Sequence, residues 1–468
     1  MTVGSVGGHA RTTDRFLPDR APSERANLLL LAFGFLLFAL PYEAVLPGPL
    51  KGNGSPARLL GLVMLALVIF SLAAGRRFLP GRTAGVAGVG CAVGYTAISL
   101  FSAARAYSDY YIAPEEAALT TRLLMGVVIA LGVMSYIVLT TQTASARRGI
   151  IWAMLSGAMV SVVIGLIQGV STLDLRYALV PPGFSIILDK ETSVREGFTR
   201  VMGTAGHPIE FSLTVAVMLP LAAHLARYAR TRNQRFLASV FTAILLVAVP
   251  ASVSRTAIVA VVTALLIYAL VLPIRALVTA VMVLATTVAV YSVVAPELFD
   301  AVTKLFTNAG SDDSVTGRTD DYAYVGDLFR ASPWLGYGLG DSATTGRYLD
   351  NQWLQAILSG GVMGVAALLL IVAGGAFGAA HSLRHTGRRS PAQRDLVFAL
   401  AGGFAAMVVG FGTYDEFYFP QSQVLFFVLL ALLFTFPSTG SSGAIVQSRS
   451  WPAVATRIRS RGRHAIDR

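Results

Sequence analysis

Asp350 and Asn351 place a carboxylate and an amide at the start of an apolar run that is long enough to cross a membrane. A carboxylate at its reference pKa is ionised at neutral pH and can take a proton from a hydroxyl group. Both residue types are also favoured helix N-caps, so catalysis by Asp350 and capping of the following helix both stay open. Polar side chains at such a position meet water and lipid headgroups together. The sequence therefore predicts that a lipid-linked substrate is handled here.

Two arginines are candidates for binding the phosphate groups of such a substrate. Arg255 follows Ser252 and Ser254 at the end of an apolar run, and an arginine this close to hydrocarbon usually has a partner or a task. Its alternative role is to extend to the membrane interface. Arg200 precedes a Gly-rich stretch and Pro208, where free backbone N–H groups and a guanidinium would suit a pyrophosphate. Its alternative is an incidental loop charge.

Further polar residues on the same side have two interpretations each. His207, at the same helix start as Pro208, is either an acid or base at the substrate or a structural residue. Arg318 lies in the longest polar loop, as a substrate ligand or as a solvated surface charge. Asp415 and Glu416 belong to an aromatic cluster, residues 414–419, whose first interpretation is anchoring at the membrane interface.

The composition decides the class of protein that must position these residues. The 468 residues are 54% hydrophobic and only 13% charged, whereas a soluble domain has about 25% charged residues. The net charge of +12 does not predict nucleic-acid binding, because Lys and Arg gather in alternate short loops, as in the positive-inside pattern. We expect an all-α polytopic membrane protein with both termini in the cytoplasm. The sequence contains no phosphate-binding or dinucleotide-binding fingerprint and no metal-ligand spacing, so it predicts neither a cofactor nor a metal.

Apolar runs of about 20 residues predict about twelve transmembrane helices. They lie at about 27–41, 58–75, 83–103, 117–140, 149–171, 206–226, 236–250, 255–272, 275–295, 350–378, 395–413 and 421–437. We expect a disordered cytoplasmic tail over 1–26, a transmembrane catalytic domain over 27–437 and a basic cytoplasmic tail over 438–468. The largest outward loop, 296–349, separates the ninth and tenth spans and is predicted to hold a short amphipathic helix on the outer membrane surface.

Four short motifs follow one another along the chain. They are an arginine before a Gly…Pro helix start (Arg200, Gly203, Pro208), a Ser-Arg pair opening a span (Ser254, Arg255), a Gly-Arg pair with a later Pro…Gly-x-Gly (Gly317, Arg318, Pro333, Gly336, Gly338), and a polar residue with xxL…GxxG (Asn351, Leu354, Gly361, Gly364). In this order the motifs resemble those of the O-antigen ligase and polysaccharide polymerase superfamily.

This resemblance implies a metal-independent membrane glycosyltransferase with a GT-C-like fold. Such an enzyme would take a glycan from undecaprenyl diphosphate and pass it to an acceptor hydroxyl on the outer face of the bacterial plasma (inner) membrane. By the resemblance, Arg200 and Arg255 would hold the diphosphate, Arg318 would support the loop or the donor, and Asn351 would belong to the substrate site. The expected partners are the undecaprenyl-linked donor, a glycan or lipid-linked acceptor, membrane lipid, a chain-length regulator and a flippase, but no nucleic acid.

The ligases of the superfamily carry His-Asn where this chain has Asp350–Asn351. A histidine is better matched to proton transfer near neutral pH, so the difference favours a polymerase of a surface polysaccharide or exopolysaccharide over an O-antigen ligase. A transporter or flippase of lipid-linked glycans is the alternative from another class. A transporter would show inverted repeats and broken helices near the midplane. The sequence shows neither clearly, and its charges gather at the outer face, which favours an enzyme. A purely structural role in an envelope complex stays open.

Overall fold

The computed structural model describes residues 27–48, 52–75, 83–108, 112–141, 143–171, 173–186, 194–195, 197–307, 313–341, 347–386 and 390–436. The two predicted tails, 1–26 and 438–468, lie outside the described residues. Within the described ranges the chain is almost entirely helical, with two small two-stranded sheets in the loops.

The described residues form fourteen α-helices. They are α1 (Leu28–Ala39), α2 (Pro56–Ala73), α3 (Thr83–Ala106), α4 (Pro114–Thr140), α5 (Ala144–Val170), α6 (Pro208–Tyr228), α7 (Arg232–Ala251), α8 (Arg255–Ala269), α9 (Ile274–Val294), α10 (Pro296–Thr307), α11 (Asp313–Ala331), α12 (Gln352–Thr386), α13 (Pro391–Gly410) and α14 (Pro420–Leu433).

Every predicted span coincides with one of these helices. Nine helices of the described chain are long and apolar enough to cross a membrane, and three more, α1, α8 and α14, are shorter apolar helices. The all-α polytopic class is therefore confirmed, while the count of twelve spans stays a prediction. The boundary between the seventh and eighth predicted spans is a tight turn between α7 and α8, in which Val253 has a φ of 44°.

The helix starts follow from proline and from capping side chains. Six helices of the described chain have proline in the first turn, where its fixed φ suits the helix and its missing N–H costs nothing. Asn27 and Thr143 accept a backbone N–H of the helix that follows, and Thr231 forms a capping box with Gln234. These local signals explain why the spans begin close to the predicted positions.

Two helices, α6 and α14, form the centre of the bundle. Every residue of α14 is buried, and nearly the whole of α6 is buried as well. By contrast, none of the residues of α9 is buried, so this apolar helix exposes its whole circumference and suits a position that faces lipid. Where α8 and α13 cross, a Cβ on Gly402 would lie 2.5 Å from the carbonyl oxygen of Ala264. This is the close approach that small residues permit between membrane helices.

The loops at one end of the bundle, called the outer end below because the charge distribution predicts it to be outside, are tied together. Strand β1 (Ala44–Val45) pairs antiparallel with β2 (Ser185–Ile186), and β3 (Val194–Arg195) pairs with β4 (Phe198–Thr199). The first pair joins loops that are about 140 residues apart in the sequence. These strands fix the loops beside the starts of α2 and α6.

The largest outer loop contains α10 and α11. The predicted amphipathic helix is present as α11, and its Val325 packs against Leu349, Leu354 and Leu358. Tyr322, on another face of this helix, is exposed. The apolar face of α11 therefore contacts the loop before α12 and the first turns of α12, and its location at the membrane surface stays a prediction.

Helix α12 is interrupted at Gly361, which has a φ of 55°. A Cβ at Gly361 would lie 2.4 Å from the carbonyl oxygen of Pro333. Because each helical residue rises about 1.5 Å, the part of α12 before the break reaches roughly 13 Å from the helix start. A bilayer core is about 30 Å thick, so a break at this distance from the helix start is predicted to lie near its middle. The sequence did not show this break clearly.

The backbone groups freed by the break bond to an inserted segment, residues 333–339. The N–H of Val362 donates to the carbonyl oxygen of Pro333 at 2.9 Å. In the other direction, the N–H of Tyr337 donates to the carbonyl oxygen of Leu358 at 2.9 Å. Non-helical backbone at this depth is tolerated only where protein satisfies it. The Pro…Gly-x-Gly motif and the later GxxG motif are therefore two halves of one packing arrangement.

We predict that Gly361→Ala destabilises the protein while Gly360→Ala does not. Alanine at the positive φ of Gly361 and against the Pro333 carbonyl should cost roughly 2 kcal/mol or more. A Cβ on Gly360 meets nothing within 4 Å, so alanine there should be neutral or slightly stabilising. Thermal unfolding of the detergent-purified variants measures the difference. Equal unfolding midpoints for the two variants would show that the break does not depend on Gly361.

Candidate functional site

A cavity of about 400 Å³ lies at the outer end of the bundle. Apart from its tyrosines, six of the residues that line this cavity are ionisable. They are Glu43, Arg122, His207, Glu210, Asp350 and Asp415. The cavity thus brings together residues from the first outer loop, from α4, from the start of α6 and from the loops on either side of α12 and α13.

Asp350 and Asn351, at the start of α12, have different roles: one faces the cavity and the other caps the helix. The Oδ1 of Asn351 accepts the backbone N–H of Trp353 at 2.9 Å and of Leu354 at 3.2 Å, so Asn351 is the N-cap of α12. Asp350 is exposed and lines the cavity. Capping, which was the plain explanation for Asp350, therefore belongs to Asn351. Because Asn351 is buried, we assign it to positioning Asp350, and its predicted contact with substrate stays a prediction.

The loop between α13 and α14, residues 411–419, is called the outer hub. The backbone N–H of Gln352 donates to the carbonyl oxygen of Phe411 at 2.8 Å, and the Oε1 of Gln352 accepts the N–H of Phe417 at 2.8 Å. The side chain of Asn351 also donates to the carbonyl oxygen of Gly412 at 3.3 Å. The start of α12, and with it Asp350, is therefore fastened to the outer hub at three points.

The carboxyl groups of the outer hub are placed differently from the prediction. The sequence favoured interfacial anchoring for residues 414–419, but Asp415 lines the cavity and Glu416 is fully buried. This first interpretation is corrected, because the aromatic residues around the two acids pack inward, with Phe417 and Phe426 ring centroids 5.4 Å apart. The sequence could not show which face of so short a loop points inward.

Burial changes the protonation of both acids. The pKa of the Asp415 carboxyl is raised to about 8, mainly because the group is buried. A hydrogen bond from the Tyr418 backbone lowers this pKa, and the charge of Asp350 raises it further. Burial also raises the pKa of Glu416 well above its usual value, with further contributions from Glu210 and Asp415. Near neutral pH, Asp415 is therefore mostly protonated but close to its titration point, as suits a group in proton transfer.

His207 and Glu210 organise the start of α6. The Nδ1 of His207 accepts the backbone N–H of Ile209 at 3.2 Å, so His207 is the N-cap of α6. The two oxygens of Glu210 accept the N–H groups of Gly206 at 2.8 Å and of Ser422 at 3.0 Å. Glu210 thus ties α6 to the first turn of α14. The structural interpretation of His207 gains a definite basis, and its predicted role toward substrate stays open because it also lines the cavity.

The structure brings the two predicted diphosphate ligands to one turn. The Nε of Arg200 donates to the carbonyl oxygen of Ser252 at 3.4 Å, three residues before Arg255 opens α8. Neither arginine is among the residues that line the cavity in the described part of the chain. The turn is nevertheless connected to the outer hub, because the hydroxyl of Thr256 bonds to that of Thr413 at 3.0 Å.

Two further arginines, Arg318 and Arg347, belong to the largest outer loop. Arg318 lies on α11, but its side chain is outside the described residues, so its role stays a prediction. Arg347 pairs with Asp321 at 2.8 Å and covers the ring of Tyr324 at 4.6 Å. Arg347 therefore holds α11 against the loop that precedes Asp350.

Sequence reasoning missed Arg122. This residue lies on α4, lines the cavity and holds its guanidinium 5.3 Å from the centroid of the Tyr418 ring. The available signal was an arginine inside an otherwise apolar span, which is a functional-site hypothesis by default. Glu43, in the first outer loop, was missed as well, and no pattern in the sequence distinguishes it.

A second, smaller cavity of about 60 Å³ adjoins the first, and both are lined by Asp415 and Tyr418. Its other polar lining is uncharged and includes Ser99, Gln352 and Gln355. Within the ranges that the structure describes, no group of three or more His, Cys, Asp or Glu side chains could hold a metal ion. The metal independence of the reaction stays a prediction.

Comparison with known families gives one match. Residues 238–369 match the family model described as O-antigen ligase. No curated protein matches the chain. The matched segment extends from α7 into α12 and includes Arg255, Arg318 and Asp350. It supports an O-antigen ligase-like superfamily and confirms the resemblance that the four motifs predicted. The chain is thus a multi-pass helical membrane protein that is similar, over residues 238–369, to a family of enzymes that handle glycans.

We predict that stability separates the roles of the adjacent residues Asp350 and Asn351. Asn351→Ala should lower the free energy of unfolding by about 1 kcal/mol, because it removes the N-cap of α12. Asp350→Asn should lower this free energy less than Asn351→Ala does, because Asp350 is exposed and the cap of α12 is Asn351. Asn351→Asp, which keeps a capping oxygen, should lose less than Asn351→Ala. A larger loss from Asp350→Asn than from Asn351→Ala would contradict the assignment.

Proposed function

We propose that this protein is a membrane glycosyltransferase that polymerises the repeat units of a bacterial surface polysaccharide or exopolysaccharide. Each repeat would be donated by undecaprenyl diphosphate on the outer side of the plasma membrane. The observation that carries the proposal is the outer-end cavity, where Asp350, inside the family-matched segment, shares the space with the protonated Asp415. Joining a finished polymer to a lipid, as an O-antigen ligase does, is the second candidate.

The transfer exchanges one bond to the anomeric carbon of the donor sugar for another. The acceptor hydroxyl oxygen forms the new bond to this carbon as the bond to the diphosphate oxygen breaks. The electron pair of the broken bond stays on the diphosphate, and Asp350 accepts the hydroxyl proton. Arg200 and Arg255, which meet at the Ser252 turn, are assigned to the leaving diphosphate. Positive charge there stabilises the negative charge that grows in the transition state.

Asp415 is assigned a supporting part in this step. Its raised pKa keeps it protonated at neutral pH, so that the pair with Asp350 carries one negative charge instead of two. A doubly ionised pair beside a leaving diphosphate would oppose the growing charge. The lone carboxylate of Asp350 then acts as the base, in the place where the ligases have a histidine.

The broken helix α12 bears on the transporter alternative, because broken helices are a feature of transporters. In this chain the backbone at the break is bonded to the inserted segment, and the ionisable cavity lies at the outer end instead of at the midplane. The O-antigen ligase match also favours an enzyme. These observations support glycan transfer over transport.

The proposal is tested in a strain that lacks the protein and is complemented with variants. We predict that Arg200→Ala and Arg255→Ala each reduce polymer by roughly 10- to 100-fold, because each removes a charged hydrogen-bond donor to the diphosphate. Single repeat units on the lipid carrier should accumulate, as in the uncomplemented strain. Arg330→Ala is the control, because Arg330 is exposed and pairs only with Asp327 on α11 among the described residues. Glycan gels measure polymer, and immunoblots measure protein.

Other accumulated glycans would redirect the assignment. Long polymer left on the carrier in the deletion strain would identify a ligase. Repeats trapped on the cytoplasmic face would identify a flippase. Full polymer in both arginine variants would refute the diphosphate assignment.

The pH dependence tests the carboxyl pair. We predict that the transfer rate of the purified enzyme falls as pH rises through about 8, where Asp415 loses its proton. For an assumed separation of ~10 Å between this second charge and the leaving diphosphate, the repulsion is about 1.7 kcal/mol at an effective dielectric constant of about 20, which is roughly 15-fold in rate. Asp415→Asn mimics the protonated acid, so it should remain active at pH 7 and lose this fall. Asp327→Asn, an exposed acid of α11, should keep the fall. A rate that instead rises through pH 8 would make Asp415 the base.

A further inference from the structure

Arg122 is the arginine of the cavity wall, and it forms no ion pair with a described residue although four carboxyl residues line the same cavity. Its Nε is buried and has no hydrogen-bond partner among the residues that the structure describes. The guanidinium of Arg122 lies over the face of Tyr418, 5.3 Å from the ring centroid. An arginine on a membrane span is costly unless it pairs with an anion or faces water. The side chain is therefore placed to receive an anionic group in the cavity.

A second arginine strengthens the positive charge at this place. Arg58, on α2, is buried and is close enough to Arg122 for the two charges to repel each other. Two cations that are held together in this way favour an anion with more than one negative charge.

The first outer loop positions this pair. The Nη1 of Arg58 donates to the carbonyl oxygen of Gly52 at 2.6 Å, and Gly52 itself lines the cavity. A Cβ on Gly52 would lie only 3.4 Å from the Cδ of Arg122. The loop is thus in contact with both arginines, and it leaves Arg122 as the one that reaches the cavity.

This positive site and the donor arginines lie at different ends of the outer hub. Thr413, near the start of the hub, bonds to Thr256, the neighbour of Arg255. Tyr418, near its end, lies under Arg122. Asp415 lies between these two contacts in the hub and shares the cavity with Asp350. Along the hub, the carboxyl pair therefore lies between the contact to the Arg255 turn and the contact to Arg122.

Resting on the proposed function, we propose that Arg122, supported by Arg58, binds the phosphate groups of the lipid that carries the acceptor glycan. The donor diphosphate occupies the Arg200–Arg255 turn, and the acceptor hydroxyl meets the carboxyl pair between the two phosphate sites. The enzyme then holds two polyprenyl diphosphates at once. A lipid-borne acceptor also fits the surroundings of this site, because α2 exposes the apolar side chains of Val63, Ile69 and Phe70.

The number of carrier molecules bound per chain tests this inference. The full-length protein, in nanodiscs of phosphatidylcholine, is titrated with radiolabelled undecaprenyl diphosphate that carries no glycan. The wild type should bind two molecules per chain, and Arg122→Gln should bind one. Arg255→Gln should also bind one, and the double variant should bind none. Arg330→Gln, the exposed control, should bind two.

The counts can overturn the inference in two ways. Two molecules bound by Arg122→Gln, or one molecule bound by the wild type and lost only in Arg255→Gln, would show that Arg122 holds no carrier. A loss caused by misfolding is recognised by gel filtration and thermal unfolding. Arg122→Lys provides a second check, because it keeps the charge but not the planar fork. This variant should still bind two carrier molecules, and the affinity of the site at residue 122 should fall roughly tenfold.

Phospholipid headgroups offer the same phosphate chemistry, so the titration is repeated in nanodiscs that contain phosphatidylglycerol. Persistence of the second carrier molecule supports an acceptor carrier at Arg122. Its displacement would make Arg122 a general phospholipid site and overturn the assignment.

The outcome is separable from that of the proposed function. Two carrier sites with the expected variant pattern would keep the carrier site at Arg122, and polymer that is unaffected by deletion of the protein would refute the polymerase. Normal polymer and two bound carriers in Arg122→Gln would refute the carrier site at Arg122 and leave the polymerase assignment standing.

Discussion

The reciprocal bonds between Gln352 and the outer hub are the constraint on which the rest of the site depends. The backbone N–H of Gln352 and its side-chain oxygen bond to two residues of the hub, Phe411 and Phe417, across the start of α12. This contact sets Asp350 at the cavity, holds Asp415 beside it and orients Tyr418 under Arg122. The hub is only nine residues long and links two buried helices, so displacement of either end would move both carboxyl groups.

The broken helix α12 supplies the second constraint, and it acts on the same helix start. Because the inserted segment satisfies the backbone at the break, the outer part of α12 is held separately from the long part that follows. Gly336, Gly338 and Gly340 all have positive φ, which lets the segment turn between α12 and its neighbours. One segment of the large outer loop therefore reaches into the membrane region, while α11, in the same loop, covers the approach to Asp350.

The two ends of the bundle treat ionisable groups differently. At the end opposite the cavity, Asp395 is fully buried and accepts hydrogen bonds from Tyr268 at 2.9 Å and from Arg227, and it contacts the Nδ1 of His224 at 2.7 Å. This cluster clamps α6, α8 and α13 together and leaves neither carboxylate oxygen without a partner. At the outer end, four carboxyl groups line the cavity, and neither oxygen of Glu416 has a hydrogen-bond partner among the described residues. The ionisable groups that line this cavity therefore lie at the end of the bundle where the chemistry is proposed.

The sequence by itself determined the helical membrane class, the places of the helices and the residues of the family motifs. Apolar length, proline and capping signals are local, and they decide where helices begin whatever the helices contact later. It also identified Asp350 and Arg255 as residues of interest. Only the tertiary structure decided that Asn351 caps α12 and that Arg200 reaches the turn before Arg255. It likewise decided that Asp415 lies in the cavity, where burial raises its pKa, and that Arg122 faces it. The cap is a local contact that the sequence left open between two adjacent residues. The other facts depend on contacts between distant segments of the chain, and burial and charge proximity exist only once those segments meet.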